Sequence, residues 1–200
     1  MVHITVVLAA VAVVALIAIA AVDIPYSYVP APAPETSIGA MAYGQVLTPT
    51  QASQILGYQG TGGPFQSLHY NKTQAQALFE KLATQSGQYK NVSSVVDGWA
   101  MNYTVSGSEQ SVTEVVFEFN SSDGVSASSM YQATVSSFEQ AGIEFTQTGL
   151  TAGRLTYSYI SKSQVITLLG YDGSYIVMAY VDQPTSAAQA LPTDIAEDLG

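Results

Sequence analysis

Two histidines and no cysteine leave this 200-residue chain few ways to do chemistry. His69 is the only histidine beyond the terminus, and one imidazole without Cys or further His cannot build a zinc or copper site. It reads as a loop residue beside Tyr70. Without cysteine there is no thiolate nucleophile, and no disulfide staples the fold. A serine triad would need His69 as its base, and no G-x-S-x-G elbow accompanies it. Gly60-Thr61-Gly62-Gly63-Pro64 lacks the Gly-Lys-Ser/Thr ending that cradles phosphates, so it reads as a loop.

The carboxylates are decided by distance. Glu114 and Glu118 share one face of an expected strand, which puts them roughly 13 Å apart. Glycosidase pairs need about 5–9.5 Å. The two therefore read as solvent-face charges, or as charges guarding a sheet edge. Asp194, Glu197 and Asp198 form an acidic end without the ligand spacing of a calcium loop. Asp97, Arg154 and Asp172 remain as a scattered set that no spacing unites. The thirteen tyrosines either form a stripe for sugar or protein, or serve as core and rim residues. No catalytic, cofactor or metal site is assigned, and the balance leans against an enzyme.

Charge excludes further partners. Fifteen acidic residues stand against five basic ones, giving −10, and Lys72, Lys81, Lys90, Arg154 and Lys162 are spread singly. Such a chain has no phosphate-neutralising patch for nucleic acid, and anionic lipid headgroups are disfavoured for the same reason. Charged residues make up only 10% of the chain, so Ser, Thr, Gln, Asn and Tyr must build its surface. That surface suits an extracellular protein. It would change little as its few carboxylates titrate, which fits an acidic medium.

Stepping along the chain, Ile4 to Val22 is uncharged and has Thr5 as its only polar member. Nineteen residues of helix span about 28 Å, close to the hydrocarbon thickness of a bilayer. The segment reads as a transmembrane anchor in contact with lipid or other transmembrane helices. Ala18-Ile19-Ala20 keeps open a cleaved signal peptide. The expected organisation is residues 1–24 as anchor or signal peptide, 25–40 as a Pro-rich stalk and 41–200 as an extracellular head. The stalk, Pro25 to Pro34, alternates prolines and reads as polyproline II. Four N-x-S/T sequons, at Asn71, Asn91, Asn102 and Asn120, mark expected glycosylation sites on an exported chain.

The head mixes two periods. Helices are expected after Thr48-Pro49, after Asn71, over Ala127 to Phe138, and from Thr185 with a kink at Pro192. Strands are expected where Trp99, Met101 and Tyr103 alternate with Ala100, Asn102 and Thr104, and where Val115, Phe117 and Phe119 alternate with Glu114, Val116 and Glu118. Leu155, Tyr157 and Tyr159 repeat the pattern. Tyr171-Asp172-Gly173-Ser174 is a hairpin turn between two further strands. Together these predict an α+β head of two layers, an antiparallel sheet with helices on one face. Two strand-strand-helix units, 99–141 and 155–198, hint at a duplication. Trp99, Phe117, Phe138 and Tyr157 are the residues expected at the sheet–helix contact.

The functional expectation is a membrane-anchored cell-surface glycoprotein that makes protein contacts, in a surface filament or a membrane-associated assembly. The alternative is a tethered extracellular module for a sugar or lipid. An uncharged N-terminal helix joined to a β-rich head resembles an archaeal pilin over about the first 25 residues. This chain departs from that pattern in having no basic residue before the apolar run. The resemblance implies self-assembly through that helix.

Overall fold

The computed structural model describes residues 45–58, 65–86, 93–105, 108, 110–120, 126–140, 142, 144–162 and 164–199. The apolar segment, the stalk, the Gly60–Pro64 stretch and the sequon Asn91 lie outside the described residues. Among the described residues no helix is long and apolar enough to cross a membrane.

The chain runs α1 (Pro49–Ile55), β1 (Phe65–Tyr70), α2 (Lys72–Ser86), β2 (Val95–Thr104), β3 (Ser111–Phe119), α3 (Ala127–Gln140), β4 (Gln147–Ala152), β5 (Leu155–Lys162), β6 (Val165–Asp172) and β7 (Tyr175–Asp182). A 3-10 turn (Ser186–Ala190) then leads into α4 (Leu191–Leu199). The seven strands form one sheet in the order β1-β2-β3-β7-β6-β5-β4, every neighbouring pair antiparallel. The N-terminal three strands meet the C-terminal four where β3 lies against β7, with Val116 opposite Val177. The expected hairpin forms one residue further on than an Asp-Gly turn would place it: Asp172 ends β6 opposite Tyr175, the loop is Gly173-Ser174, and only Gly173 takes a positive φ, 55°.

Helices cover both faces of this sheet, so the head has three layers and not the expected two. On one face Ile55 and Leu56 at the end of α1, with Leu191, Ile195 and Leu199 of α4, pack against the sheet. Met101, Tyr103, Val112, Val116 and Val177 meet them there. The fourfold spacing in α4 is what turns all three of its large side chains to one side. On the other face Phe79 of α2 and Met130, Tyr131 and Val135 of α3 meet Val115, Phe117, Phe119, Leu169 and Ile176. Gly98 is what lets α2 close on β2: a Cβ there would lie 3.1 Å from that of Ala75. The physical reason for two covered faces is in β3, where Val112 and Val116 make the face opposite the phenylalanines apolar as well.

Other expectations shift with the third layer. His69 belongs to the edge strand β1 and not to a loop. Glu114 is not on a solvent face: it is 0% exposed, in a strand flanked on both sides. Pro192 sits in the first turn of α4, after the 3-10 turn, where its missing N–H breaks no helical bond, so no mid-helix kink is needed. The four expected contact residues divide. Phe117 is fully buried against α2 and α3, whereas Trp99 and Tyr157 pack from the opposite face. Phe138 is half-buried at the end of α3 against Phe145. Because α3 and α4 cover opposite faces, the two strand-strand-helix units are not copies of one arrangement.

Candidate functional site

On the α4 face the described residues leave the sheet partly uncovered beside the 3-10 turn, forming an open groove of about 420 Å³. That size falls within the ordinary range of ligand clefts. Its floor follows from strand register. Tyr159 of β5 has Gln147 of β4 on one side and Leu168 of β6 on the other, and Tyr157 lies beside Leu150. Ser161 and Ile166 extend the floor, while Pro184, Ser186, Gln189 and Pro192 raise a wall. Tyr157 and Tyr159 share a face because they are two apart on a strand, about 7 Å along it. Burial raises the Tyr157 phenol above its ordinary value and neighbouring Tyr159 adds to the shift, so Tyr157 keeps its proton as a donor. No lining side chain carries a charge. The side chains of Gln147, Tyr159, Ser161, Ser186 and Gln189 make no hydrogen bond among the described residues, whereas Thr185 already bonds the Ile55 carbonyl at 3.4 Å.

Next to the groove β4 is the last strand of the sheet among the described residues, with Gln147, Thr148, Gly149 and Thr151 exposed and uncharged. The pairing slips between Gln147 and Leu150, a bulge that keeps this edge from being a straight template.

The charged residues considered from sequence are placed elsewhere and separately. His69 Nε2 lies 2.7 Å from Asp97 Oδ1, and its ring stacks on Trp99 at 5.3 Å. Trp99 in turn meets Tyr175 edge-on at 6.2 Å. Arg154 bonds a single oxygen of Asp172, from Nε at 3.1 Å and from Nη2 at 3.0 Å. Asp172 is 1% exposed and its second oxygen has no partner among the described residues. Asp97 and Asp172 are three strand spacings apart through Glu118 and Tyr175, roughly 14 Å, so they cannot act on one bond together.

Glu114 is the group that sequence reasoning misplaced. Its Oε2 accepts the Leu47 N–H at 2.8 Å, while Oε1 is buried without a partner among the described residues. Burial pushes this carboxyl up to about 8; the Leu47 N–H resists the shift and Asp198 adds to it. Asp198 is itself raised, first by burial, with Gln51 opposing through an Nε2–Oδ1 bond of 3.2 Å and Asp194 and Glu197 adding. Gln51 also closes the capping box of α1, its Oε1 accepting the Thr48 N–H at 2.8 Å. The signal in sequence was a glutamate between Val112 and Val116 on a strand already apolar on its other face.

The sequons fall in three settings. Asn120 is exposed just beyond β3. Asn71 is exposed and caps α2, its Oδ1 accepting the Gln74 N–H at 3.2 Å. Asn102 is half-buried on the α2–α3 side of β2, its Oδ1 accepting from the Thr113 hydroxyl at 3.0 Å. Among the described residues no group of three or more His, Asp or Glu converges as metal ligands. No family model matches the chain, and no curated protein matches it.

Proposed function

We propose that this chain is a membrane-tethered head domain on the outer face of the cell that works by binding. In this reading it is a glycosylated subunit that makes protein contacts in a surface filament or a membrane-associated assembly. The single observation that carries it is the uncharged lining of the groove together with the uncharged exposed residues of β4 beside it. Apart from Thr185, the exposed amides and hydroxyls there make no hydrogen bond among the described residues, and no ion-paired side chain lines the groove, the Arg154–Asp172 pair beginning in the turn that follows β4. The tether rests on Ile4 to Val22 and the stalk on Pro25 to Pro34, both read from sequence.

The test is to extract the full chain from its native membrane in mild detergent, cross-link it and identify what co-purifies. The reading expects alkali-resistant membrane association, a protease-accessible C-terminal head and partners cross-linked through β4 or the groove. A chain released by alkali, or partners cross-linked only through the α2–α3 face, overturns it.

The alternative reading, a tethered ligand-binding module for a sugar or lipid, is favoured by one feature of the same surface. The groove is concave and sized for a small molecule, with two tyrosine rings on its floor.

A further inference from the structure

We propose that the groove between β4–β6 and the 3-10 turn is a binding site for a neutral oligosaccharide, with the Tyr159 ring as its stacking platform. This inference rests on the ligand-module reading and gives it a chemical class.

Three observations select that class. The lining carries no charge, although the chain as a whole is −10. A charged ligand would find no counter-ion here, and an acidic one would meet the repulsion of the whole molecule. Next, the donors and acceptors are of the kind that match hydroxyls. Gln147 stands beside Tyr159 on the floor, Gln189 and Ser186 face it from the wall, and Ser161 lies two residues along. Each amide offers a donor and an acceptor together, which suits vicinal hydroxyl groups. An acyl chain laid over the same residues would desolvate four polar side chains without replacing their hydrogen bonds.

The third observation is the placing of two tyrosines on one strand face of the floor. Tyr157 and Tyr159 lie about 7 Å apart along one strand and present flat apolar area next to polar tips. The C–H face of a pyranose is apolar while its rim is hydroxylated, so ring and rim each meet their complement here. Tyr157 is packed against the core, which fixes it, and Tyr159 lies outward of it on the floor. Little freedom of the Tyr157 side chain is then lost when a sugar binds.

The experiment uses the full chain in a detergent without a glycosidic headgroup, because maltosides would compete for the site. Saturation-transfer NMR is run with neutral gluco-, galacto- and manno-oligosaccharides up to about 10 mM, with uronate-bearing analogues as the contrast. The expected result is transfer to at least one neutral series and none to the uronates. Tyr159→Ala should weaken that binding about tenfold, Gln189→Ala about fivefold, and Tyr159→Phe less than about threefold. Far-ultraviolet circular dichroism of each variant guards against simple misfolding. Absence of transfer from every neutral saccharide overturns the proposal, as does preference for a uronate or a Tyr159→Ala variant that binds like the parent. If no saccharide binds while a protein still cross-links through the groove, the sugar assignment fails and the binding-head reading stands.

Discussion

Replacing Glu114 by Gln should stabilise the head and flatten its response to pH. The carboxyl is wholly buried, in a strand between Met101 of β2 and Ala179 of β7. Its proton affinity is moved by its own burial first, then by the Leu47 N–H and Asp198. Neither ion pair of the described residues, His69–Asp97 or Arg154–Asp172, reaches it. In the unfolded chain it titrates near 4.5, and in the folded chain near 8. Below 4.5 both states hold the proton and the group does not affect stability. Between 4.5 and 8 only the folded state holds it, so the unfolded state gains by releasing it and stability falls as pH rises. The fall is about 1.4 kcal/mol per unit over 3.5 units (8 − 4.5), about 5 kcal/mol in all. Above 8 it levels off.

A glutamine keeps an oxygen for the Leu47 N–H and never has to ionise. The variant should therefore gain about 3 kcal/mol at pH 7 and about 5 above pH 9, and nothing at pH 4. Asp194 and Asp198 are raised in the same sense and remain in the variant, so its slope is reduced and not abolished. Urea melts of the full chain in detergent, followed by the fluorescence of the single tryptophan, Trp99, at each unit from pH 4 to 9, give the comparison directly. Parallel curves for the parent and Glu114→Gln would refute the buried-acid argument. So would a parent whose stability rises between pH 5 and 8.

Three further outcomes follow from burial. Phe117→Ala should cost about 3–5 kcal/mol and half-buried Phe138→Ala about 1–2, an order that equilibrium melts would check and that a two-layer head would not produce. Arg154→Ala should cost about 1–3 kcal/mol, because it strips buried Asp172 of its cation, and Asp172→Asn in the same background should recover part of that in urea melts. Among the described sequons, glycopeptide mapping of native protein should find Asn120 the most fully modified and half-buried Asn102 the least.

The parts of the fold legible in sequence were those whose signals are local. Thr48-Pro49 starts α1 because the threonine caps it and proline's missing N–H is harmless there, and the glycine of the expected turn, Gly173, joins β6 to β7 with Ser174. What failed was whatever depends on long-range order. A strand that alternates Val115, Phe117 and Phe119 with Glu114, Val116 and Glu118 looks one-sided until β7, from the far end of the chain, pairs with it and α4 closes over its second face. Periodicity records which residues share a face; it cannot say that both faces will be covered. Edge strands β1 and β4 were missed for a related reason. Gln147-Thr148-Gly149 has neither β-branched density nor strict alternation, and its pairing to β5 is broken by a bulge. The candidate site was legible by half. The Tyr157–Tyr159 repeat marked the floor, but the wall is a 3-10 turn followed by a helix, and its position depends on where α4 docks. That same helix joins the two features of greatest chemical interest. Its first turn, at Leu191 and Pro192, lines the groove, and its last, at Asp198, bears on Glu114. The shape of the groove and one part of the environment that holds the proton on Glu114 therefore depend on the seating of one nine-residue helix, a dependence that no window of sequence contains.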